Sequence, residues 1–213
     1  MDGSVLIIGT GAQAKYALEI FYLIQVTVVG LISLPGETPP PDIDGVAVIG
    51  GLEDFKSAYS IHGGPALLLC SSRNKTKEEL VEKLSVHGPS YANALHPSAI
   101  VARTARLGHG VILNANAVIQ PFARIGNHSM IHAGVIVEHD CFIEDYVNLA
   151  PQVALAGYVK VGRGTTVYTG AVVAPRVEIG EYSVIGAGGV VLNNIGNGVT
   201  AVGVPVRVIR QST

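Results

Sequence analysis

One stretch of the chain repeats with a period of six residues. Residues 95–190 read LHPSAI VARTAR LGHGVI LNANAV IQPFAR IGNHSM IHAGVI VEHDCF IEDYVN LAPQVA LAGYVK VGRGTT VYTGAV VAPRVE IGEYSV IGAGGV. Every hexapeptide begins with Leu, Ile or Val, and a small or β-branched residue stands four positions later. A period of six fits neither an α-helix nor a single alternating strand. It fits short strands joined by tight turns, so it predicts a parallel β-helix with the large aliphatic side chains pointing inward.

The composition is that of a folded chain with few charges. The 213 residues are 48% hydrophobic and 14% charged, and the formal net charge is -2. The high hydrophobic fraction excludes an intrinsically disordered chain. The low charged fraction favours an oligomer, in which part of the surface is buried. The net charge is not that of a nucleic-acid-binding protein, which is typically basic. The longest apolar segment, residues 21–34, is too short to span a bilayer. The N-terminus lacks the basic region of a signal peptide, so we predict a cytoplasmic protein with no membrane partner.

The first 94 residues show a different pattern, in which strands and helices alternate. Apolar runs predict strands at 4–9, 26–33 and 65–72, and helical patterns predict helices at 12–24 and 76–87. Thr76 and Glu79 have the spacing of a capping box at the start of the second helix. The pattern predicts a small α/β domain over residues 1–94, followed by the β-helix domain over residues 95–213.

A glycine-rich turn connects the first predicted strand to the first predicted helix. Gly9 and Gly11 permit a tight turn, and the helix N-terminus offers unpaired N–H groups to a phosphate. A dinucleotide site would also place an acidic residue at the end of the second strand, where this chain has Ser33 and Leu34, so an NAD site is not expected. A strand–helix turn without a ligand remains the alternative.

Neither the cysteines nor the histidines suggest a metal site or a disulfide framework. Cys70 follows a buried strand and Cys141 occupies a small inward position, so both are expected in the core rather than as nucleophiles. No His, Cys and Asp cluster has the spacing of metal ligands. We therefore expect no metal cofactor.

The hexapeptides resemble those of the left-handed β-helix acyltransferases, in which three hexapeptides form one triangular coil. The whole chain resembles the bacterial sugar acyltransferases of the bacillosamine-pathway N-acetyltransferase and sialic acid O-acetyltransferase type. The local signatures are Leu6-Ile-Ile-Gly9-Thr-Gly11, Leu95-His-Pro-Ser-Ala99, Val137-Glu-His-Asp-Cys141 and Gly203-Val-Pro205. The resemblance implies a Rossmann-like parallel sheet followed by a left-handed parallel β-helix of about five coils stacked at roughly 4.8 Å. It also implies a homotrimer.

The resemblance assigns the chemistry to one short element of the family pattern. The general base corresponds to His139, and the acidic residue that orients it corresponds to Asp140. This assignment is chemically sensible, because imidazole titrates near neutral pH and a neighbouring carboxylate stabilises its protonated form. Gly157 stands three hexapeptides after His139, so it should be the neighbour of His139 one coil away. The family places there the N–H donor for the thioester oxyanion.

The resemblance also assigns the binding residues. Acetyl-CoA should lie in a groove between two β-helices, in contact with Asn148, Thr169 and Ala187. The acceptor should bind in the N-terminal domain, at the positions of Gly11, Ala12, Gln13, Ser33 and Arg73. This sequence departs from the family pattern at most of these acceptor positions, including Gln13 and Ser33. His132 or Asn114 of a neighbouring subunit is a further candidate to approach His139.

The predicted function is acetyl transfer from acetyl-CoA to the amine of a nucleotide-linked amino sugar, in the synthesis of a surface glycan. Two alternatives remain open. One is O-acetylation of a sugar hydroxyl, as in the sialic acid branch. The other is a trimeric scaffold without catalysis.

Overall fold

A computed structural model describes residues 3–211. The chain divides into two compact units, of which the first ends at Pro97 and the second begins at Ser98. Within the described residues, no helix is both long and apolar enough to cross a membrane.

The first unit is a small sheet with helices. Its strands are β1 (Val5–Ile8), β2 (Val28–Ser33), β3 (Asp42–Ile43), β4 (Val46–Gly51), β5 (Ala66–Leu69) and the short β6 (Ala94–Leu95). Its helices are α1 (Ala12–Leu23), α2 (Phe55–Ile61) and α3 (Asn74–Leu84), and a 3₁₀ turn covers Ser85–His87. Five strands form a sheet in the order β3-β4-β2-β1-β5, parallel except for the β3–β4 pair. Strands β1 and β5 are almost wholly buried, as their continuous apolar runs predict.

The structure adds to the predicted elements of this unit and corrects one of them. The sequence patterns missed β3, β4 and α2, because β4 is only partly buried and its glycines break the apolar run. The prediction that Thr76 and Glu79 form a capping box at the start of the second predicted helix was wrong. Helix α3 begins at Asn74 and is preceded by Arg73, with no side-chain hydrogen bond at its cap.

The second unit is the predicted parallel β-helix. Its two-residue strands are β7 (Ile100–Val101), β8 (Arg106–Leu107), β9 (Ile112–Leu113), β10 (Val118–Ile119), β11 (Arg124–Ile125), β12 (Met130–Ile131), β13 (Ile136–Val137), β14 (Phe142–Ile143), β15 (Asn148–Leu149), β16 (Ala154–Leu155), β17 (Lys160–Val161), β18 (Thr166–Val167), β19 (Val172–Val173), β20 (Glu178–Ile179), β21 (Val184–Ile185) and β22 (Val190–Val191). It ends in a longer antiparallel pair, β23 (Val199–Gly203) and β24 (Val206–Gln211).

Three sheets form the walls of the β-helix. The apolar sheet contains β7, β10, β13, β16, β19 and β22, and the charged sheet contains β8, β11, β14, β17 and β20. The third sheet contains β9, β12, β15, β18, β21, β23 and β24 within this unit. Ile125 pairs with Ile143, and Ile143 pairs with Val161, so each two-residue strand lies against the strand three hexapeptides later. This confirms the predicted coil of three hexapeptides.

The interior is filled by the first residue of each hexapeptide. From Leu113 to Ile185 these aliphatic residues are all buried, as predicted. The exceptions lie in the first coil, where Leu95 and Leu107 are half-buried and Val101 is 37% exposed, because no preceding coil packs against these positions.

From residue 110 to residue 188, the turns of the β-helix use the same left-handed backbone conformation. One residue in each of these turns has φ between +49° and +69°, and these residues are Gly110, Asn116, Phe122, His128, Gly134, Asp140, Tyr146, Gln152, Tyr158, Gly164, Gly170, Arg176, Tyr182 and Gly188. Most are not glycine, although other residues pay a steric cost in this region. A backbone hydrogen bond to the preceding coil compensates, as where the N–H of Tyr146 donates to the carbonyl of Asn127 at 2.8 Å.

The stacked aliphatic layers should dominate the stability of this unit. Replacing the buried Leu149 by Ala should lower the free energy of unfolding by about 2–5 kcal/mol, since it removes packed methyl groups and leaves a cavity. The same replacement at Leu192, which is 53% exposed, is the matched control and should have little effect. Chemical denaturation of both variants measures the difference, and equal losses would contradict the inward assignment.

Candidate active site

His139 lies on a turn where the apolar sheet passes into the charged sheet, between β13 and β14. We call this edge the His139 corner, defined by Phe122, His139, Asp140, Tyr158 and Arg176. The imidazole is half-exposed, and its Nδ1 lies 2.9 Å from Oδ2 of Asp140. With Asp140 ionised, Nδ1–H donates to the carboxylate, and Nε2 then carries a lone pair that can accept a proton.

Gly157 lies directly beside the imidazole, as the spacing of three hexapeptides predicts. A Cβ on Gly157 would stand 2.7 Å from both Nε2 and Cε1 of His139, so any larger residue would push the ring away. The next N–H, that of Tyr158, donates to the His139 carbonyl at 3.1 Å. The Gly157 N–H itself has no acceptor among residues 3–211. A proton acceptor and an unused N–H donor are therefore neighbours.

The predicted CoA-binding residues lie on a different edge of the same β-helix. Thr169 and Ala187 are exposed on successive turns between the third sheet and the apolar sheet, and the Gly188 N–H donates to the Thr169 carbonyl at 2.8 Å. Asn148 lies on β15 of the third sheet, and its buried Oδ1 has no hydrogen-bond partner in the described chain. The apolar sheet separates these residues from His139. One chain therefore does not bring them together with His139.

The apolar sheet presents an uninterrupted row of apolar side chains to the outside. Ile100, Ile136 and Val172 on this face are 63%, 40% and 41% exposed. The remaining members of the row are Val118, Ala154 and Val190. The charged sheet instead presents mostly charged residues, and Lys160 and Glu178 form an ion pair at 2.6 Å on it. A continuous apolar face of this kind is typical of a surface that is covered by another protein.

The first unit contains a cavity of about 570 Å³ at the carboxyl ends of β1 and β5. Four of the five predicted acceptor-binding residues line it, namely Gly11, Ala12, Gln13 and Arg73. Ser33 does not. Its hydroxyl donates to the carbonyl of Gly50 in β4 at 3.2 Å.

Glu37 also lines this cavity, and the sequence patterns missed it. Its Oε2 accepts hydrogen bonds from the Thr10 N–H at 3.0 Å, the Thr10 hydroxyl at 2.8 Å and the Leu34 N–H at 2.7 Å. The first N–H of the predicted phosphate cradle is thus occupied by a carboxylate of the protein. The dinucleotide-binding pattern places an acidic residue at the end of the second strand, whereas Glu37 stands three residues after Leu34 in the following loop.

Two oxygen atoms of this cavity are unused acceptors. Gln13 is 4% exposed, and its Oε1 is buried without a hydrogen-bond partner among the described residues. The second atom is Oε1 of Glu37, which also has no hydrogen-bond donor there and faces Gly11. For the buried oxygen of Gln13 this is costly, because a buried acceptor left unpaired loses its hydrogen bonds to water. The arrangement therefore fits a ligand that supplies N–H or O–H donors.

The remaining candidates behave as core residues. Burial raises the pKa of Cys70 to about 12 and that of Cys141 to about 11, so both thiols are protonated near neutral pH. Cys141 donates instead to the Ala156 carbonyl at 3.1 Å. Both are buried, which confirms the predicted core positions. Within residues 3–211, no group of three or more His, Cys, Asp or Glu side chains is placed to hold a metal ion.

Comparison with curated proteins agrees with this geometry. The bacterial transferase hexapeptide (six repeats) family matches residues 104–139 and 158–193. GDP-perosamine N-acetyltransferase of Escherichia coli O157:H7 is 30% identical over 147 residues, which cover 66% of each chain. Serine acetyltransferase of Haemophilus influenzae is 37% identical over 103 residues, 44% of this chain and 39% of that protein. The chain thus spans from about two-fifths to about two-thirds of these curated relatives.

Solved structures match almost the whole chain. A mutant of perosamine N-acetyltransferase from Caulobacter crescentus, in complex with CoA and GDP-perosamine, is 34% identical. The match has a TM-score of 0.93 and covers 99% of this chain and 98% of that one. The acetyltransferase domain of PglB from Neisseria gonorrhoeae shares the fold, with a TM-score of 0.89 at 24% identity over 97% and 99% of the two chains. The chain therefore belongs to the hexapeptide-repeat transferases, as an acyltransferase of the left-handed β-helix sugar acetyltransferase type.

Proposed function

We propose that the protein transfers an acetyl group from acetyl-CoA to the amine of a nucleotide-linked amino sugar. The observation that carries the proposal is the pairing of the His139–Asp140 dyad with the unused N–H of Gly157 at one corner. GDP-perosamine is the first acceptor to test, because the Caulobacter crescentus relative binds it with CoA. The product would serve surface glycan synthesis in the cytoplasm.

In the proposed mechanism His139 is the general base. Nε2 takes a proton from the acceptor amine as the amine nitrogen attacks the thioester carbonyl, and a C–N bond forms. The Gly157 N–H donates to the oxygen that becomes negative in the tetrahedral intermediate. The C–S bond then breaks, and the CoA sulfur leaves with the proton from the imidazolium. Asp140 holds Nδ1 throughout and stabilises the charged ring.

The CoA site is proposed to need two copies of the chain. Thr169, Ala187 and Asn148 lie on the opposite side of the apolar sheet from His139, so a second β-helix must supply one of the two edges. In a homotrimer with a repeated head-to-tail contact, the CoA edge of one subunit meets the His139 corner of its neighbour. The unpaired Oδ1 of Asn148 suits an amide N–H of the pantetheine chain.

The first unit, which corresponds to the α/β domain predicted over residues 1–94, is proposed to bind the acceptor. Its cavity offers two acceptor atoms, Oε1 of Gln13 and Oε1 of Glu37. A nucleobase could donate to them through an N–H group, and a ribose through an O–H group. Arg73 lines the same cavity and suits a phosphate of the nucleotide. Gly11 and Ala12 begin helix α1 at this cavity, and their backbone N–H groups can serve the same anion.

Replacing the base should abolish most of the activity. The His139→Ala variant should release CoA thiol from acetyl-CoA and GDP-perosamine about 10²–10⁴-fold more slowly than the wild type. His62→Ala, at the exposed end of helix α2, is the control and should retain the wild-type rate. Release that needs no acceptor, or that survives His139→Ala, would contradict the mechanism.

Breaking the apolar face should break the assembly. Val172→Glu places a charge on the apolar sheet and should convert a trimer into a monomer that no longer binds CoA, because burying an unpaired carboxylate is costly. Phe142→Glu makes the same kind of change on the charged sheet, where Phe142 is 43% exposed, and should leave the trimer intact. Sedimentation equilibrium distinguishes the two, and a monomeric wild type would contradict the shared CoA site.

Glu37 should affect the acceptor and not the cofactor. Glu37→Gln removes the charge from an acceptor oxygen but keeps an oxygen for the Thr10 and Leu34 donors. We expect KM for GDP-perosamine to rise about 10- to 100-fold, the cost of weakening a charged hydrogen bond. KM for acetyl-CoA should not change. Glu53→Gln, an exposed change in the same unit, is the control, and a rise in KM for acetyl-CoA instead would remove the cavity from the acceptor site.

A further inference from the structure

Tyr158 combines an unfavourable backbone conformation with a contact to His139. Its φ is +64°, a region in which bulky side chains are strained. Glycine would adopt this conformation without strain, as it does at Gly134, Gly170 and Gly188 on another edge of the β-helix. Other non-glycine turn residues, among them Tyr146 and Tyr182, share this conformation. The feature of Tyr158 that needs an explanation is therefore its contact with His139.

The ring of Tyr158 packs against the imidazole of His139. Their centroids are 5.3 Å apart and the planes are perpendicular. The imidazole is thus bounded by the Asp140 carboxylate at Nδ1, by the Gly157 backbone along Nε2 and Cε1, and by the Tyr158 ring. Together these contacts restrict both side-chain torsions of His139.

Arg176 holds the Tyr158 ring from the next coil. Its guanidinium carbon lies 5.1 Å from the centre of the ring, a distance at which a cation and an aromatic face attract each other. The backbone N–H of Arg176 also donates to the Gly157 carbonyl at 3.0 Å. Arg176, Tyr158 and His139 therefore form a chain of contacts along the His139 corner, anchored at its far end in the backbone.

Another edge carries a similar column of Arg163, Tyr146 and His128, in which the guanidinium carbon lies 4.7 Å from the centre of the Tyr146 ring, but its burial and ring geometry differ. There, Tyr146 stacks on His128 with centroids 5.4 Å apart and planes at 10°, and both side chains are almost wholly buried. That stack fills space. Tyr158 is 47% exposed, so it buries much less surface, and its ring meets His139 edge to face instead of stacking.

We propose that Tyr158, held by Arg176, is a positioning residue for His139. It keeps the imidazole in the orientation that leaves Nδ1 on Asp140 and Nε2 beside the Gly157 N–H. This inference rests on the proposed function, in which His139 is the base. It assigns Tyr158 no contact with the reacting atoms, and its effect on the rate passes entirely through His139.

The test separates positioning from folding by replacing Tyr158 with glycine. Tyr158→Gly should lower kcat about 10- to 100-fold, since small misplacements of a catalytic group cost that much. KM for acetyl-CoA should be unchanged, and the melting temperature should be equal or higher, because the backbone strain is released. Tyr158→Phe keeps the ring and should keep kcat. Arg176→Gln should give a smaller loss in the same direction.

Tyr182→Gly is the matched control. Tyr182 is also a left-handed tyrosine, at φ +49° and 42% exposed, but it lies on a different edge. Its replacement should relieve the same strain without lowering kcat. Equal losses of kcat in both variants would overturn the proposal, since the effect would then belong to the fold. A Tyr158→Gly variant with wild-type kcat would overturn it as well.

A double mutant completes the test. In the His139→Ala background, Tyr158→Gly should cause no further loss of the residual rate, because the two residues act as one unit. A further loss of the same size as in the wild-type background would show that Tyr158 acts on the substrate directly, and would overturn the positioning role. If His139→Ala itself left the wild-type rate unchanged, the proposed function would fail first, and the two failures are thereby distinguished.

Discussion

The β-helix depends on a hydrogen bond between successive coils at each turn. The N–H of the left-handed residue donates to a carbonyl of the preceding coil, as from Asp140 to Pro121 at 3.1 Å and from Tyr158 to His139 at 3.1 Å. Without this bond the steric cost at every non-glycine turn would add up along the β-helix. Because the bond recurs in every hexapeptide from the turn at His128 to the turn at Gly188, it also fixes the stacking of those turns. The register of three hexapeptides between neighbours follows from it.

This register brings the proposed catalytic residues together without a loop of their own. His139 is far from Gly157 and Tyr158 along the chain, yet the stacking of coils makes them neighbours. Their backbone atoms belong to turns that are hydrogen-bonded on both sides, so the site is built on a rigid scaffold, as precise catalytic geometry requires. Other edges of the prism use the same stacking for other purposes, such as the buried stack of His128 and Tyr146.

The sequence predicted the features that follow from periodicity. The period of six predicted a parallel β-helix and its inward aliphatic layer, and the family resemblance added the three hexapeptides per coil that make His139 and Gly157 neighbours. It could not predict the left-handed turn residues, because glycine occupies only some of these positions and hydrophobicity does not report φ. Glu37 was missed since the chain reverses in a loop after Leu34, and only the folded loop returns the carboxylate to Thr10. The role proposed for Tyr158 depends on the ring geometry, which no spacing encodes.

The three walls of the prism differ in charge, and this difference connects the fold to the reaction. In each two-residue strand the first side chain points outward and the second points into the β-helix. The first residue of every third strand therefore determines whether a whole sheet is apolar or charged on its outer face. In the apolar sheet that position is always aliphatic or alanine, whereas in the charged sheet it holds Arg106, Arg124, Phe142, Lys160 and Glu178. The apolar wall lies between the edge with His139 and the edge with Thr169. In the proposed trimer, association through that wall would bury exposed aliphatic surface and complete the proposed site in the same step.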